Sequence, residues 1–271
     1  MSLTGVAKET VRIVEQGEYV TPSGRTVSLR EEVAQAARGT VLYRPGDFEA
    51  LASTPSGGGA PRIEVTPEKT GAASRRLIEA EGVARVLALN FASAKNPGGG
   101  FLGGAKAQEE DLARCSALYN CLLTQPDYYT LNREEPSMLY TDHLIYSPDV
   151  PFFRDEQLEL LERPFRVSII TAPAPNAGEA LKRDPGSRPR IREVLEARAL
   201  NVLRVAAHHG HRTLVLGAWG CGVFRNDPRE VAEAFARGLA ALPGAFERVV
   251  FAVYERNGEG PNLRAFREHF G

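Results

Sequence analysis

Two adjacent carboxylates, Glu109 and Glu110, follow Gln108 directly behind the run Asn96-Pro97-Gly98-Gly99-Gly100-Phe101-Leu102-Gly103-Gly104, in which five glycines fall within seven positions. Glycine lacks a Cβ and tolerates positive φ, so such a loop suits close approach of backbone to a ligand better than it suits a core. If the two acids face a cleft floored by this loop, both cannot ionise cheaply, and one is pushed toward holding a proton near neutral pH. A carboxyl group in that condition can act as a general acid. The competing reading is that acids in a first helical turn are there for the helix dipole.

A second glycine cluster, residues 217–222, precedes Val223-Phe224-Arg225-Asn226. It follows an apolar run and comes before a helix that Pro228 can open, so backbone N–H groups and a helix N-terminus could hold a phosphate there without a lysine. Its alternative is a tight turn that needs small residues. Two such loops at the ends of two buried strands favour a cleft for a diphosphate. Gly98-x-Gly100-x-x-Gly103 formally matches the dinucleotide fingerprint. However, seven residues separate Asn90 from Gly98, and no acidic residue closes a second strand about 20 residues later. No Gly-Lys-Ser/Thr follows either cluster, which removes a Walker A loop.

The elements that must carry these loops can be read from periodicity. Residues 83–90 are a nearly continuous apolar run, as expected of a central strand covered on both faces, and they feed the first glycine loop. Leu112, Cys115, Leu118, Tyr119 and Leu122 recur at helical spacing and predict one helix over 109–123, stopped by Pro126. Residues 61–66, 143–147, 152–153, 166–172, 213–217 and 248–254 are expected as strands, with the 143–153 region hairpin-like. Residues 69–81, 190–209, 228 onward and 262 onward are expected as helices. Residues 176–189 are expected to be a polar loop, serving as a lid or simply mobile. Strands alternating with helices over 61–271 imply a three-layer α/β/α domain with a mixed central sheet. Residues 1–60 are expected as a separate, helix-rich extension, with helices over 7–16 and 29–37, joined through the Ser/Gly/Pro-rich stretch 53–61.

The 271 residues carry 33 basic and 34 acidic side chains, a net charge of -1, so neither nucleic acid nor an anionic membrane is indicated as a partner. No apolar run approaches the roughly 18 residues that span a bilayer, and the first residues lack a signal-peptide layout, so a cytoplasmic location is expected. The three cysteines lack CxxC spacing and the five histidines lack a paired ligand motif, which points away from disulfides and structural zinc. For His208, His209 and His211 a solvated helix end is expected instead of a metal site.

Gly98-Gly99-Gly100, seven residues and then Gln108-Glu109-Glu110 resembles the signature of the poly(ADP-ribose) glycohydrolases. About 110 residues later, Gly220-Cys221-Gly222-Val223-Phe224 resembles that family's diphosphate loop. The resemblance spans residues 60–271 as a macrodomain, and the length resembles the compact bacterial-type members. It implies Glu110 as catalytic acid/base and Glu109 as the group holding hydroxyls of the ribose whose bond is cut. Asn96 is a further candidate contact to that ribose, or else a turn residue before proline. Gln108 completes the signature beside the substrate. Gly98, Gly99, Gly100, Gly220, Cys221, Gly222 and Val223 would approach ribose and diphosphate through their backbone, and Phe224 would pack on the scissile ribose. Tyr254 would stack on adenine, or else cover the core at a strand end.

The implied substrates are poly(ADP-ribose) and poly(ADP-ribosyl)ated proteins, in a DNA damage response, with ADP-ribose as product. No cofactor, metal or direct nucleic-acid contact is implied, and a monomer is expected. With no regulatory extension in view, action mainly at chain ends is expected. The rival readings are a non-catalytic ADP-ribose-binding macrodomain and a mono-ADP-ribosyl hydrolase. The two carboxylates speak against the first, since beside an anionic ligand they would only repel its diphosphate.

Overall fold

A computed structural model describes residues 2–51 and 59–271, so all but Gly59, Ala60 and Pro61 of the expected linker lies outside the described residues. Helix α1 (Leu3–Gln16) starts where the Ser2 hydroxyl accepts from the Gly5 N–H and stops at Gly17, whose φ of 72° is the usual left-handed helix end. A small antiparallel hairpin, β1 (Glu18–Val20) and β2 (Thr26–Ser28), leads to α2 (Arg30–Gly39). The next strand, β3 (Val41–Tyr43), is an edge strand of the main sheet, so the N-terminal sixty residues contribute to that sheet.

The remaining elements are β4 (Arg62–Thr66), α3 (Thr70–Arg75), β5 (Val86–Phe91), α4 (Gln108–Cys115), α5 (Leu118–Leu122), α6 (Pro126–Glu134), β6 (Leu144–Arg154) and β7 (Leu160–Ala172). After them come α7 (Ala177–Arg183), α8 (Arg188–His208), β8 (Thr213–Leu216), α9 (Pro228–Ala241), β9 (Arg248–Ala252) and α10 (Pro261–Phe270). The seven-stranded sheet has the order β3-β6-β7-β5-β8-β9-β4. Its pairings from β7 to β4 are parallel, and β6 runs antiparallel to both neighbours, so the sheet is mixed as expected.

Alternation along each strand splits the core into two layers. Leu87 and Leu89 of β5, Leu214 and Leu216 of β8, and Val249 and Phe251 of β9 pack under α7 to α10. Val86, Ala88, Val215 and Val250 pack under α1 to α6 on the other face. These strands are apolar on both faces because both faces are covered.

Several expected boundaries change. The helix over 109–123 is two helices, because Ser116 breaks it: its hydroxyl donates to the Leu112 carbonyl and accepts from the Leu118 N–H, and its backbone bridges Phe152. Pro126 opens α6 instead of only ending a helix. The two short strands at 143–153 are one long strand, β6, whose register against β7 shifts between Ser147 and Val150 and again between Phe152 and Arg154. Residues 177–183 of the expected loop form α7, capped by the Asn176 side chain on the Glu179 N–H. The helix expected over 69–81 turns π-helical at Arg76–Ala80.

Of the histidine cluster only His208, the exposed last residue of α8, is a solvated helix end. His211 is 1% exposed and bonds the Tyr146 hydroxyl, while His209 stacks on Tyr146 and bonds the Tyr43 hydroxyl. Burial pulls His209 down to about 4 and His211 to about 3, so both are neutral at physiological pH. Among the described residues no group of His, Cys, Asp or Glu could hold a metal ion, and no helix is long and apolar enough to cross a membrane.

Candidate active site

Strands β5, β8 and β9 are neighbours and parallel, so the loops that follow them leave from one edge of the sheet. That edge receives the first glycine loop, the 217–227 loop and Tyr254. Gly217 sits between two of these strand ends: a Cβ there would lie 2.6 Å from the Ala252 carbonyl oxygen and 2.9 Å from Phe91 Cζ. Only glycine lets the strand ends come this close.

Gln108 fixes the head of α4. Its Oε1 accepts from the Phe91 N–H (2.8 Å), and its Nε2 donates to the Leu89 carbonyl (2.7 Å) and to Thr70 Oγ1 (3.0 Å). The side chain thus pairs with β5 as a short strand would, and it anchors the acids more than it faces a ligand. Glu109, the next residue, is 2% exposed against the strand end. Its Oε1 accepts from Asn90 Nδ2 (3.2 Å) and its Oε2 from the Ser93 N–H (2.6 Å). Asn90 in turn donates to Thr171 Oγ1 of β7, its register partner. Burial pushes the Glu109 carboxyl up to about 8, against the pull of the Ser93 and Asn90 donors and with the Glu110 charge adding to the rise. Glu109 is therefore inclined to hold a proton at neutral pH.

Glu110 lies nearer the surface, 9% exposed, and its Oε1 accepts from the Gly100 N–H at 2.9 Å. Gly98 and Gly99 have φ of 66° and 59°. A Cβ on Gly99 would lie 3.0 Å from Glu110 Cδ, closer still to its Oε1, and 3.2 Å from Glu109 Oε2. The glycine loop lies directly on both carboxyl groups, which the spacing of the motif alone did not show. Behind the loop, Phe101 meets the Tyr119 ring at a tilt and packs with Ala113 and with Ala7 of α1. The Thr10 hydroxyl of α1 donates to the Arg114 carbonyl, and Arg114 donates to the Ala105 carbonyl of the loop.

Asn96 is exposed and serves the turn through its backbone: its carbonyl accepts from the Gly99 N–H and its N–H donates to Ser93 Oγ. On the second loop, Gly220 has φ of 71°, and a Cβ there would overlap the Ala174 methyl and the Asn226 amide. Gly222 is exposed and Val223 is 85% exposed, so this part of the loop projects outward. Cys221 is mostly covered, and burial raises its thiol, which removes it as a nucleophile at neutral pH. Phe224 lies near the Tyr140 ring, and its carbonyl accepts from the Gly178 N–H at the head of α7. Tyr254 is 54% exposed just past β9, with Lys69 Nζ 5.8 Å from its ring centroid.

Four contributors were not in the sequence-based set. Asn90 reads only as the last residue of an apolar run, and Ser93 acts through its backbone. Lys69 pairs with Asp111 next to the site. Arg198 is fully buried in α8, donates to the Pro173 and Leu139 carbonyls and to Asp142, and pins the two segments beside Tyr140. A charged residue inside a long amphipathic helix is the one trace of that last role in the sequence.

Residues 7–155 match the family model described as microbial-type PARG, catalytic domain. No curated protein matches the sequence. Among solved structures, the poly(ADP-ribose) glycohydrolase of Thermomonospora curvata is 51% identical over 99% of both chains, with a TM-score of 0.92. The same enzyme bound to the inhibitor ADP-HPD matches at 50% identity over 99% of both chains, with a TM-score of 0.91. The poly(ADP-ribose) glycohydrolase of Deinococcus radiodurans, in complex with ADP-ribose, is 49% identical over 88% of this chain and 96% of that chain, with a TM-score of 0.81.

Proposed function

The chain belongs to the microbial-type poly(ADP-ribose) glycohydrolases, and from that membership we propose that it cuts ribose–ribose O-glycosidic bonds with Glu110 as general acid/base. The single observation that carries the assignment is the pair of separately anchored carboxyl groups beneath Gly98, Gly99 and Gly100. Cleavage of such a bond passes through an oxocarbenium-like state, which needs a proton for the leaving hydroxyl and then an activated water. Glu110, the more accessible acid, gives the proton and later takes one from water. Glu109, buried and inclined to stay protonated, holds the hydroxyls of the scissile ribose.

The outward N–H groups near Gly222 and Val223 receive the diphosphate, Phe224 packs on the ribose and Tyr254 stacks on adenine. Both glycine loops stand at the ends of adjacent parallel strands, the usual place for a ligand in an open α/β sheet. The complexes of related enzymes with ADP-ribose and ADP-HPD support the same ligand class. Chain-end action would follow if the segment after Tyr254, held to α10 by the Leu263 N–H donating to Glu255, capped the adenine side of the ligand.

The test is Glu110→Gln. General acid–base catalysis contributes about 10² to 10⁴ in rate, so a loss of that order is expected, with ADP-ribose binding retained in calorimetry. A variant that degrades polymer as fast as wild type would remove the mechanism. Product sizing on end-labelled polymer tests the second part, because abundant mid-length fragments at early times contradict chain-end action.

A further inference from the structure

Beside the catalytic cleft lies a second concavity that the chemistry above does not use. It is a cavity of about 530 Å³ between α7 and the first turns of α8, α9 and α10. Arg188, Arg225, Arg229 and Arg264 line it. Arg188 is paired with Asp227 and Glu230, and Arg229 with Glu268. Arg225 and Arg264 have no carboxylate partner among the described residues; Arg264 donates to the Glu259 carbonyl. Three helix N-termini therefore converge on a space that already holds two uncompensated guanidinium groups, a field that favours an anion.

Two further observations point to a ligand. Asn226 lines the cavity and is 3% exposed; its Nδ2 donates to the Pro175 and Gly220 carbonyls, which leaves a buried Oδ1 with no partner. A buried acceptor of this kind calls for a donor such as a hydroxyl. Arg225 holds a φ of 56°, a left-handed conformation unfavourable for a residue with a side chain. Its stem also needs the bare Gly178, where a Cβ would lie 3.1 Å from Arg225 Cδ. Strain and a matching glycine together direct this arginine.

The chemistry that fits is a sugar diphosphate, with phosphate oxygens for Arg225 and Arg264 and a hydroxyl for Asn226. Arg225 and Asn226, which line the cavity, directly continue the loop residues 220–224 assigned above to the diphosphate. In a polymer of ADP-ribose, the unit next to the one being released carries both groups. We propose that this cavity is the subsite for that neighbouring ADP-ribosyl unit, and that Arg225 and Arg264 favour polymer over a lone ADP-ribosyl group. The proposal rests on the glycohydrolase reading above.

Charge reversal at Arg225 and Arg264, singly and together, tests it, with Arg225→Gln as a milder variant should the reversal perturb folding. Each single change is expected to raise KM for polymer about tenfold, the loss of one charge-assisted hydrogen bond, with kcat and the affinity for free ADP-ribose unchanged. A binding arm uses the same changes in a Glu110→Gln background, where polymer affinity should fall by the same factor without any cleavage. If Glu110 is not the acid, Glu110→Gln still degrades polymer while the KM change in the Glu110 enzyme still reports the subsite, so the two readings fail separately. Polymer KM and polymer affinity unmoved in every variant would overturn the subsite. So would calorimetry in which wild type binds a second free ADP-ribose that the reversals abolish while polymer KM stays the same, since the cavity would then be a product site.

Discussion

Gly99→Ala puts a methyl group where the two acids meet. The backbone at this position has φ of 59°, a region that costs an alanine about 1 to 2 kcal/mol relative to glycine. The new Cβ would lie 3.0 Å from Glu110 Cδ and 3.2 Å from Glu109 Oε2, and nearer still to Glu110 Oε1. Neither acid can step aside without loss. Glu109 is held by the Asn90 amide and the Ser93 N–H, and Glu110 by the Gly100 N–H. Relief therefore comes either from the loop backing away or from Glu110 releasing Gly100, a movement of about 1 Å, and such misplacement costs about 10²-fold in rate. At 1.36 kcal/mol per decade that is about 2.7 kcal/mol of transition-state stabilisation.

The assay is initial-rate release of ADP-ribose from polymer, followed by ion-exchange chromatography, alongside thermal unfolding of each variant. Gly103→Ala is the control, since its Cβ would meet nothing within 4 Å and its φ is not positive. Gly103→Ala should match wild type, and Gly99→Ala should lose rate far beyond its loss of stability. A Gly99→Ala enzyme with kcat within about threefold of wild type would refute the claim that this glycine sets the position of the carboxyl groups.

The other outcomes concern single contacts. Because Glu109 is raised from 4.5 to about 8, the stability it contributes is full below about 4.5 and is lost as pH rises through about 8. Glu109→Gln should flatten that fall, of at most about 1.4 kcal/mol per pH unit, in urea unfolding measured from pH 5 to 9. Gln108→Ala strips the Phe91 N–H and Leu89 carbonyl of their partner and should cost about 1 to 3 kcal/mol in the same unfolding experiment, with lowered activity. Gly222→Ala places its Cβ in open space, so melting of the unliganded protein should be unchanged while ADP-ribose affinity measured by calorimetry falls. Equal affinity would detach Gly222 from the diphosphate.

What was legible in the sequence was carried by local chemistry. The glycines of the first loop announce positive φ, and Gly98 and Gly99 adopt it. The apolar runs announce strands covered on both faces, and β5, β8 and β9 are such strands. What escaped depends on partners distant in the chain. The helical period runs without interruption through Ser116, and only its bridge to Phe152 shows why the helix breaks there. Register shifts inside β6 scramble its alternation, so one long strand reads as two short pieces. Asn176, Gly178, Pro185 and Gly186 read as loop residues, yet the first caps a helix and the second lies within it. Asn90 looks like the end of a strand until Glu109 is seen folded back against it. His211 has no sequence mark of burial, because the Tyr146 hydroxyl that bonds its Nε2 comes from β6, far away in the chain.

The strand order also governs when the cleft comes into being during synthesis. β5 lies between β7 and β8, and β4, made early, finds its strand partner only in β9, where Arg62 pairs with Arg248. The first glycine loop therefore emerges long before the strand that sets the opposing loop beside it, and the outer edge of the sheet closes only when the last strand has appeared. Such pairings across the length of a chain must meet their loop-closure entropy before any contact compensates for it, which slows a fold relative to one built from local contacts. Before β9 is in place, β4 has no strand partner and β8 is paired on one side only, by β5. The sheet that carries both loops is in this way tied together by its most distant pairing, β4 with β9.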